Sequence, residues 1–161
     1  MNLVKQLQNE NVNLIFKIHP SQSEHNNEIV EIIEKYIKKP TIYLLNPVAD
    51  LIESSDLVVT ITPEGWAPST IMLESMILGK PALNIILDEK IYDFEYIKMN
   101  AAIASSFDSF AKVLSKLIND VEYRNEISSN GLLFTKKFLC NYGNSSKILA
   151  DLLTYKKLNN T

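Results

Sequence analysis

The sequence has very few of the residues that build covalent or metal-based scaffolds. Cys140 is its only cysteine, and His19 and His25 are its only histidines. A single cysteine excludes a disulfide framework and cysteine-based zinc sites, and it is typical of a protein from a reducing compartment. The 161 residues are enough to bury a hydrophobic core without cross-links. The sequence therefore predicts one domain over residues 1–161.

Arginine and glycine are scarce as well. Arg124 is the only arginine among 16 basic residues, and the net charge is −3. Because nucleic-acid-binding proteins normally carry excess basic charge, with arginine for bidentate contacts, this composition argues against nucleic acid as a partner. The 4 glycines form neither a GxGxxG nor a GxxxxGKS/T pattern. A nucleotide site in this chain must therefore hold phosphate without a glycine-rich loop.

Long hydrophobic runs are absent too. No apolar run approaches the roughly 20 residues that a membrane span requires, and the first residues lack the shape of a signal peptide. The sequence thus predicts no membrane span. It predicts a cytoplasmic location, either free or peripheral to the inner face of the membrane.

Short β-branched segments alternate with amphipathic segments along the chain. This alternation predicts an α/β fold: a Rossmann-like open, mostly parallel sheet of about five strands, with helices on both faces and a helical C-terminal tail. The run LVVTIT at 57–62 predicts a strand covered on both faces. Asn130-Gly131 is predicted to end a helix. The predicted strands are 12–18, 41–45, 57–62, 82–87 and 101–104, and the predicted helices are 29–37, 48–52, 69–78, 110–118, 122–129, 132–140 and 145–155.

Ligands of such sheets bind along the edge where the parallel strands end. Ser69 and Thr70 follow the strand 57–62 and begin a helix. The first N–H groups of a helix have no internal partner and lie at the positive end of its dipole, so this helix start is a candidate anion site. The alternative is an N-cap that only begins the helix.

Glu74 is the only ionisable residue between Trp66 and Lys80. It lies four residues after Thr70, so both residues share one face of the predicted helix. A carboxylate in such an apolar helix needs hydrogen-bond donors, which a sugar diol can supply. The alternative is a salt bridge to Lys80 or Lys17.

His19 closes the strand 12–18 and is followed by Pro20, so its imidazole is expected at the ligand edge, where it can bind phosphate or hydroxyl. The alternative is a loop histidine bonded to backbone. Trp66 either stacks on a base or sugar or packs its loop against the domain. The other candidates have weaker patterns: His25 and the acidic residues of 88–96 are predicted to be solvated, and Cys140 is predicted to lie in the core.

The order of these motifs resembles the C-terminal domain of GT-B-fold glycosyltransferases. The branch it resembles includes CDP-glycerol glycerophosphotransferases, surface-polysaccharide enzymes and UDP-N-acetylglucosamine 2-epimerases. The resemblance covers residues 5–155 and rests on the order and spacing of the motifs together. They are His19-Pro20, Ser55-Asp56, Ser69-Thr70, Glu74, Gly79-Lys80-Pro81 and the tail YGNSSKILADLL.

The resemblance implies a role for each candidate. Ser69 and Thr70 would hold the diphosphate of a nucleotide-sugar or CDP-alcohol donor, and Glu74 would accept hydrogen bonds from the ribose hydroxyls. His19 would contact the phosphate or the transferred group during catalysis. The backbone around Leu45-Asn46 would meet the base. No metal or other cofactor is implied.

Two features depart from the family pattern. The loop 64–68, which contains Gly65 as a further substrate-binding candidate, separates the strand end from Ser69 where relatives often run straight into serines or glycines. In addition, the N-terminal acceptor-binding domain and the first central strand are missing. The chain is therefore expected to be a fragment, a chain with a misplaced start, or one half of a two-chain enzyme.

The missing strand leads to a structural expectation. The strands 12–18 and 57–62 should lie on either side of its place in the usual order 3-2-1-4-5-6. They should then pair directly with each other, or a partner chain or second copy should fill the gap, which would make the chain a homodimer.

The sequence is compatible with two functions, one enzymatic and one non-catalytic. The first is the donor-binding half of a glycosyltransferase-like enzyme of surface-polysaccharide or glycoconjugate synthesis, which stabilises the departing diphosphate electrostatically. The second is a non-catalytic binding or assembly module that pairs with a separate catalytic half. A phospho-acceptor receiver domain is disfavoured, because the strand 41–45 ends in Asn46-Pro47, with no acidic residue there to take the phosphate.

Overall fold

The computed structural model describes residues 12–63, 69–87, 94–139 and 143–158. It confirms an α/β fold of the Rossmann-like kind, built from parallel strands and helices and ending in a helix. The strands are β1 (Ile15–Lys17), β2 (Thr41–Tyr43), β3 (Val58–Thr62), β4 (Ala82–Ile86) and β5 (Ile103–Ser106). The helices are α1 (Asn26–Tyr36), α2 (Val48–Glu53), α3 (Ile71–Ile77), α4 (Glu95–Lys98), α5 (Phe110–Asn119), α6 (Val121–Phe138) and α7 (Ser145–Leu158), and a 3₁₀ helix spans Pro20–His25.

The five strands form two parallel sheets. In the first, β1 pairs with β2 through the register Ile15↔Thr41 to Lys17↔Tyr43. In the second, the order is β3-β4-β5, so that β4 is central. Within the described residues β1 and β3 are not paired, so the expectation that these two strands close up directly is wrong. The other outcome, a segment supplied by a partner or second copy, stays a prediction.

The core lies on both faces of β4, whose five residues are all buried. On one face Ala82 packs with Met72 and Met76 of α3 and Phe134 of α6. On the opposite face Leu83 and Ile85 pack with Phe110, Leu114 and Leu117 of α5 and with Ile127 of α6. The prediction of helices on both faces is therefore confirmed for the three-stranded sheet, because alternate residues of β4 point to opposite sides.

The strand predicted to be covered on both faces is not the one that is. In β3 only Thr60 and Thr62 are fully buried, while Val59 is 37% and Ile61 50% exposed. The prediction for 57–62 was wrong because β3 lies at the edge of its sheet, and no described helix covers its second face. An apolar run indicates that a strand favours burial. How much of the strand is actually buried depends on its position in the sheet.

Two glycines have different positions relative to their helices: Gly79 follows the end of one, and Gly131 lies inside another. Gly79, with φ +65°, ends α3: the Lys80 N–H donates to Ser75 O at 2.8 Å and the Gly79 N–H to Met76 O at 3.2 Å. These two bonds form a Schellman cap, as the Gly-Lys-Pro sequence predicts. Gly131 instead lies inside the 18-residue helix α6, so the prediction that Asn130-Gly131 ends a helix was wrong.

In the described residues, no helix is long and apolar enough to cross a membrane.

Candidate functional site

The carboxyl ends of β1 and β2 are held together by Lys17 and the backbone. The Ile18 N–H donates to Tyr43 O at 3.1 Å, which extends the pairing by one residue. The Lys17 ammonium donates to Ile18 O at 2.9 Å and to Leu44 O at 2.7 Å. Lys17 therefore ties the segment after β2 to the end of β1, a role that its place among apolar residues did not reveal.

His19, Leu45 and Asn46 lie at this end of the β1–β2 sheet, and all three are exposed. Leu45 is 93% exposed, the highest value among the large apolar side chains that the structure describes. The sequence-based prediction placed these residues where two parallel strands end, and the structure agrees. The predicted contact of Leu45 and Asn46 with the base stays a prediction.

Ser69 and Thr70 lie at the carboxyl end of the other sheet, just before α3. The Ile71 N–H donates to Ser69 Oγ at 3.3 Å, and the Met72 N–H to Ser69 O at 3.0 Å. Ser69 Oγ thus accepts from the first N–H of the helix, but the N-cap position is occupied by Thr70, and α3 begins at Ile71 rather than at Ser69. The Thr70 side chain is exposed and makes no capping bond. The predicted anion-binding role of this segment remains a proposal.

Glu74 lies in the middle of α3 and is half-buried. Its N–H donates to Thr70 O at 3.1 Å, so both residues are on one face of the helix, as predicted. Within the described part of the chain, its carboxylate has no salt bridge or hydrogen bond. The salt-bridge alternative is therefore wrong for both lysines: Lys80 does not pair with it, and the Lys17 ammonium is bound to backbone carbonyls.

The structure thus sorts the candidates into two groups. His19, Leu45 and Asn46 share the end of the β1–β2 sheet, whereas Ser69, Thr70 and Glu74 share the end of the β3–β4–β5 sheet. The two sheets have no hydrogen-bonded strand pair in common within the described residues. Gly65 and Trp66 lie outside the described residues, as do Cys140 and the acids Asp88, Glu89 and Asp93.

A buried polar cluster lies directly beneath α3, and sequence reasoning missed it. Asn84 is fully buried in β4, and its Oδ1 accepts hydrogen bonds from Thr60 Oγ1 at 2.9 Å and Thr62 Oγ1 at 2.8 Å. Thr60 Oγ1 also lies 3.2 Å from the Met72 sulfur. The signal was present in the sequence: an asparagine within the apolar strand ALNII, and two threonines spaced by two in LVVTIT.

A second hydroxyl cluster follows β5. Ser109 Oγ lies 2.8 Å from both Ser105 Oγ and Ser106 Oγ, and the Ser109 N–H donates to Ser106 O at 3.2 Å. The serines satisfy one another and shape the turn into α5. Hence this cluster is explained by the local geometry of the β5–α5 connection.

Within the described residues, the cavity that the structure shows lies away from the predicted site, and no metal centre is present. In the segments that the structure describes, no group of three or more His, Cys, Asp or Glu side chains is arranged to hold a metal ion. A cavity of about 200 Å³ lies between α4 and α6 and is lined by Glu95, Met99, Phe134, Lys137 and Phe138. Of these residues only Glu95 belongs to the weaker candidates, and it is exposed, as predicted for the acidic residues of 88–96.

Comparisons with protein-family models, with curated proteins and with solved structures found no match to this chain.

Proposed function

We propose that this chain is a nucleotide-binding α/β domain that holds the diphosphate donor of a glycosyltransferase-like enzyme. The observation that carries the proposal is the placement of Thr70 and Glu74. They share one face of the helix that comes after the carboxyl end of the parallel strand β3 in the chain, with Thr70 at its N-cap position, and the carboxylate has no partner among the described residues. In open parallel sheets this is the edge at which ligands bind.

Each group in this arrangement has a chemistry suited to a nucleoside diphosphate. The Thr70 hydroxyl donates a hydrogen bond to a phosphate oxygen, whereas the N–H groups of Ile71 and Met72 are already bound to Ser69. The Glu74 carboxylate accepts hydrogen bonds from the two ribose hydroxyls. His19 contributes a further hydrogen-bond donor if the ends of the two sheets approach each other when the nucleotide-sugar binds. Stabilisation of the departing diphosphate is then electrostatic, and the acceptor and its base belong to another domain or chain.

A second candidate is favoured by a different observation. Several large apolar side chains of α7 are well exposed, among them Leu149 at 58%, Leu152 at 58% and Leu153 at 61%. Such a surface suits an assembly module that packs against a separate half of an enzyme. In that case the domain binds a protein and no nucleotide.

A ligand panel separates the two candidates. UDP, CDP, GDP and their sugar or alcohol conjugates are added in thermal-shift experiments, because a ligand that binds only the folded state raises Tm by mass action. A donor-binding domain is stabilised by at least one base series, in a concentration-dependent manner. An unchanged Tm across the whole panel at millimolar concentrations contradicts the donor role and leaves the assembly module.

Glu74→Gln tests the ribose contact. The variant keeps the size of the side chain but removes the charge that strengthens the hydrogen bonds. We expect nucleotide binding to weaken by about 1–3 kcal/mol, the range for hydrogen bonds to a charged group, with little change in Tm of the free protein. Titration calorimetry measures the affinity.

The matched control is Glu34→Gln, which makes the same change on an exposed face of α1. It should bind nucleotide as the parent does. If Glu74→Gln also binds with unchanged affinity, the ribose role of Glu74 is wrong.

A further inference from the structure

The cavity between α4 and α6 has apolar walls and two charged side chains. Its volume is about 200 Å³, and it is lined by Glu95, Met99, Phe134, Lys137 and Phe138. A cavity of about 150 Å³ in a protein core can hold a benzene molecule. The space between these two helices is therefore large enough for one aromatic ring.

The aromatic wall of the cavity is anchored in the core. Phe134 is 4% exposed, and its ring meets the Tyr96 ring edge-on, with the centroids 6.3 Å apart. Phe138 is 59% exposed, yet its ring stacks on that of Phe134 at a centroid distance of 5.1 Å. Met99 adds a polarisable thioether, which makes favourable contacts with aromatic rings. Such walls suit an aromatic ligand, because ring contacts add to the free energy of burying apolar area.

Close packing at Gly131 holds the two sides of the cavity together. A Cβ at this position would lie 3.1 Å from Ala101 O, so α6 passes tightly against the segment that follows α4. Ala101 is itself tied to α4, because its N–H donates to Tyr96 O at 2.8 Å. The α6 residues that line the cavity come one to two turns after Gly131 and share one face, at i, i+3 and i+4. The cavity is therefore a preformed gap between packed elements.

The two charged residues of the cavity are unpaired in the described parts of the chain. Glu95 and Lys137 have opposite charges and line the same space, yet no salt bridge joins them and neither side chain makes a hydrogen bond. Both residues are exposed, so they form the rim of the cavity, whereas the buried Phe134 forms its inner wall. A carboxylate accepts hydrogen bonds from an ammonium group, and a lysine ammonium donates to a carboxylate. A ligand with both groups can pair with both side chains at once.

We propose that the cavity between α4 and α6 binds a free aromatic α-amino acid. The ring of the ligand lies against Phe134, Phe138 and Met99. Its ammonium group donates to the Glu95 carboxylate, and its carboxylate accepts from the Lys137 ammonium. The cavity shares no residue with the proposed nucleotide site, so this inference does not rest on the proposed function.

Titration of the full chain with L-phenylalanine tests the site, with the backbone amide shifts followed by NMR. We expect saturable shifts concentrated at residues 95–99 and 134–138, with a Kd on the order of 1 mM for a ligand of this size. L-Alanine keeps both charges but lacks the ring, and it should bind at least about tenfold more weakly. Binding that does not saturate, or that is equally strong for L-alanine, overturns the proposal.

Two pairs of substitutions locate the ligand on the protein. Lys137→Met removes the proposed carboxylate partner, and Lys136→Met makes the same change at an exposed neighbour that does not line the cavity. Phe138→Ala removes part of the aromatic wall, and Leu133→Ala truncates a side chain of the same helix that is 61% exposed. The affinity for L-phenylalanine should fall about two- to fivefold in Lys137→Met and about fivefold or more in Phe138→Ala. Both controls should bind as the parent does, and equal losses within either pair overturn the proposal.

The orientation of the ligand is tested with Glu95→Gln and a ligand that lacks the ammonium group. The substitution should weaken L-phenylalanine binding about two- to fivefold. It should leave the affinity for 3-phenylpropionate unchanged, because that ligand has no ammonium group for Glu95 to bind. An effect of the same size on both ligands contradicts the proposed pairing. Because UDP, CDP and GDP are titrated separately, loss of nucleotide binding and loss of amino-acid binding are distinguished.

Discussion

At the scale of single residues, the only arginine of the chain has a structural role. The Arg124 guanidinium donates to Leu117 O at 2.8 Å and also to Ile118 O, two carbonyls in the last turn of α5. These carbonyls have no partner inside their own helix, and a cationic side chain near a helix C-terminus also interacts favourably with the dipole. Asp120 completes the junction by accepting a hydrogen bond from the Tyr123 N–H at 2.9 Å.

Arg124→Met should therefore destabilise the protein. Methionine keeps the apolar stem and the helix propensity but leaves the two carbonyls without their donor. We expect the free energy of unfolding to fall by about 1–3 kcal/mol, measured by urea denaturation. Lys112→Met removes an exposed cation from α5, the helix whose carbonyls Arg124 binds, and should change stability by less than about 0.5 kcal/mol. Equal effects of the two substitutions would rule out the capping role.

Tyr96 shows what burial does to a single hydroxyl. Its ring stacks on Phe94 at 5.4 Å and meets the edge of Phe134 at 6.3 Å. Its hydroxyl is buried without a partner in the described segments, and burial raises the pKa of Tyr96 to about 12. The ring contacts thus stabilise the folded protein, whereas the unpaired buried hydroxyl destabilises it.

Tyr96→Phe should be at least as stable as the parent at pH 7, because the ring contacts remain and the unpaired hydroxyl is gone. The folded pKa of about 12 lies above the ordinary value of 10.0. Unfolding therefore releases a proton between these values, and the contribution of the neutral phenol is fully present below pH 10 and lost as pH rises toward 12. The stability advantage of Tyr96→Phe should thus widen between pH 10 and 12.

Chemical denaturation at several pH values measures this advantage. Tyr155→Phe removes a hydroxyl from a side chain that is 68% exposed and serves as the control. A constant difference between Tyr96→Phe and the parent from pH 8 to 12 would contradict the assignment.

At the scale of elements, the packing of α6 on α3 depends on a glycine. A Cβ at Gly131 would lie 3.1 Å from Ala101 O and 3.1 Å from Met76 Cγ. The carbonyl is backbone and cannot rotate away, so the contact allows little relief. Gly131 therefore exchanges helix propensity for a close approach between α6 and the segment that precedes β5.

Gly131→Ala should lower the free energy of unfolding by about 1–2 kcal/mol, because overpacking outweighs the propensity gain of up to about 1 kcal/mol. Ser129→Ala, two residues earlier on an exposed position of the same helix, should be neutral or slightly stabilising. Thermal and urea denaturation of the two variants measure the difference. A Gly131→Ala variant more stable than the parent would show that the neighbouring elements move apart at little cost.

At the scale of the whole molecule, the sheets leave β3 exposed on one side. Within the described residues β3 pairs only with β4, and Val59 and Ile61 of its uncovered face are 37% and 50% exposed. Strand edges with exposed apolar side chains recruit further strands, either from a partner or from a second copy. Because β1 does not pair with β3, this remains the expected route to a dimer.

Ile61→Lys should reduce self-association. A lysine on an edge strand opposes the approach of a second strand, since its charge would have to be desolvated. In sedimentation velocity experiments the parent should shift toward dimer as concentration rises, and the variant should shift less. Val121→Lys, at a residue 55% exposed at the start of α6, is the control. A parent chain that stays monomeric over the whole concentration range would contradict the prediction.

The features that the sequence predicted well are local ones. They depend on residues a few positions apart. They are the alternation of strands and helices, the Ser69 hydrogen bond at the start of α3, the end of α3 at Gly79, and the shared face of Thr70 and Glu74. Their geometry follows from backbone dihedral preferences and hydrogen bonds within one turn. The sequence therefore determined the fold class, and it placed the candidate residues after the ends of parallel strands; their role as a site stays a prediction.

Tertiary structure decided everything that depends on distant neighbours. Residues 57–62 and Ala82–Ile86 are both rich in apolar residues, yet among the described strands only β4 lies between two others and is buried along its whole length. The local propensity of Asn130-Gly131 predicts the end of a helix. Gly131 nevertheless lies inside α6, where its missing Cβ allows the helix to approach Ala101 closely. Asn84 and Thr62, 22 residues apart, meet only because parallel pairing sets their register. Burial and register are sums over the whole chain, so no local pattern specifies them.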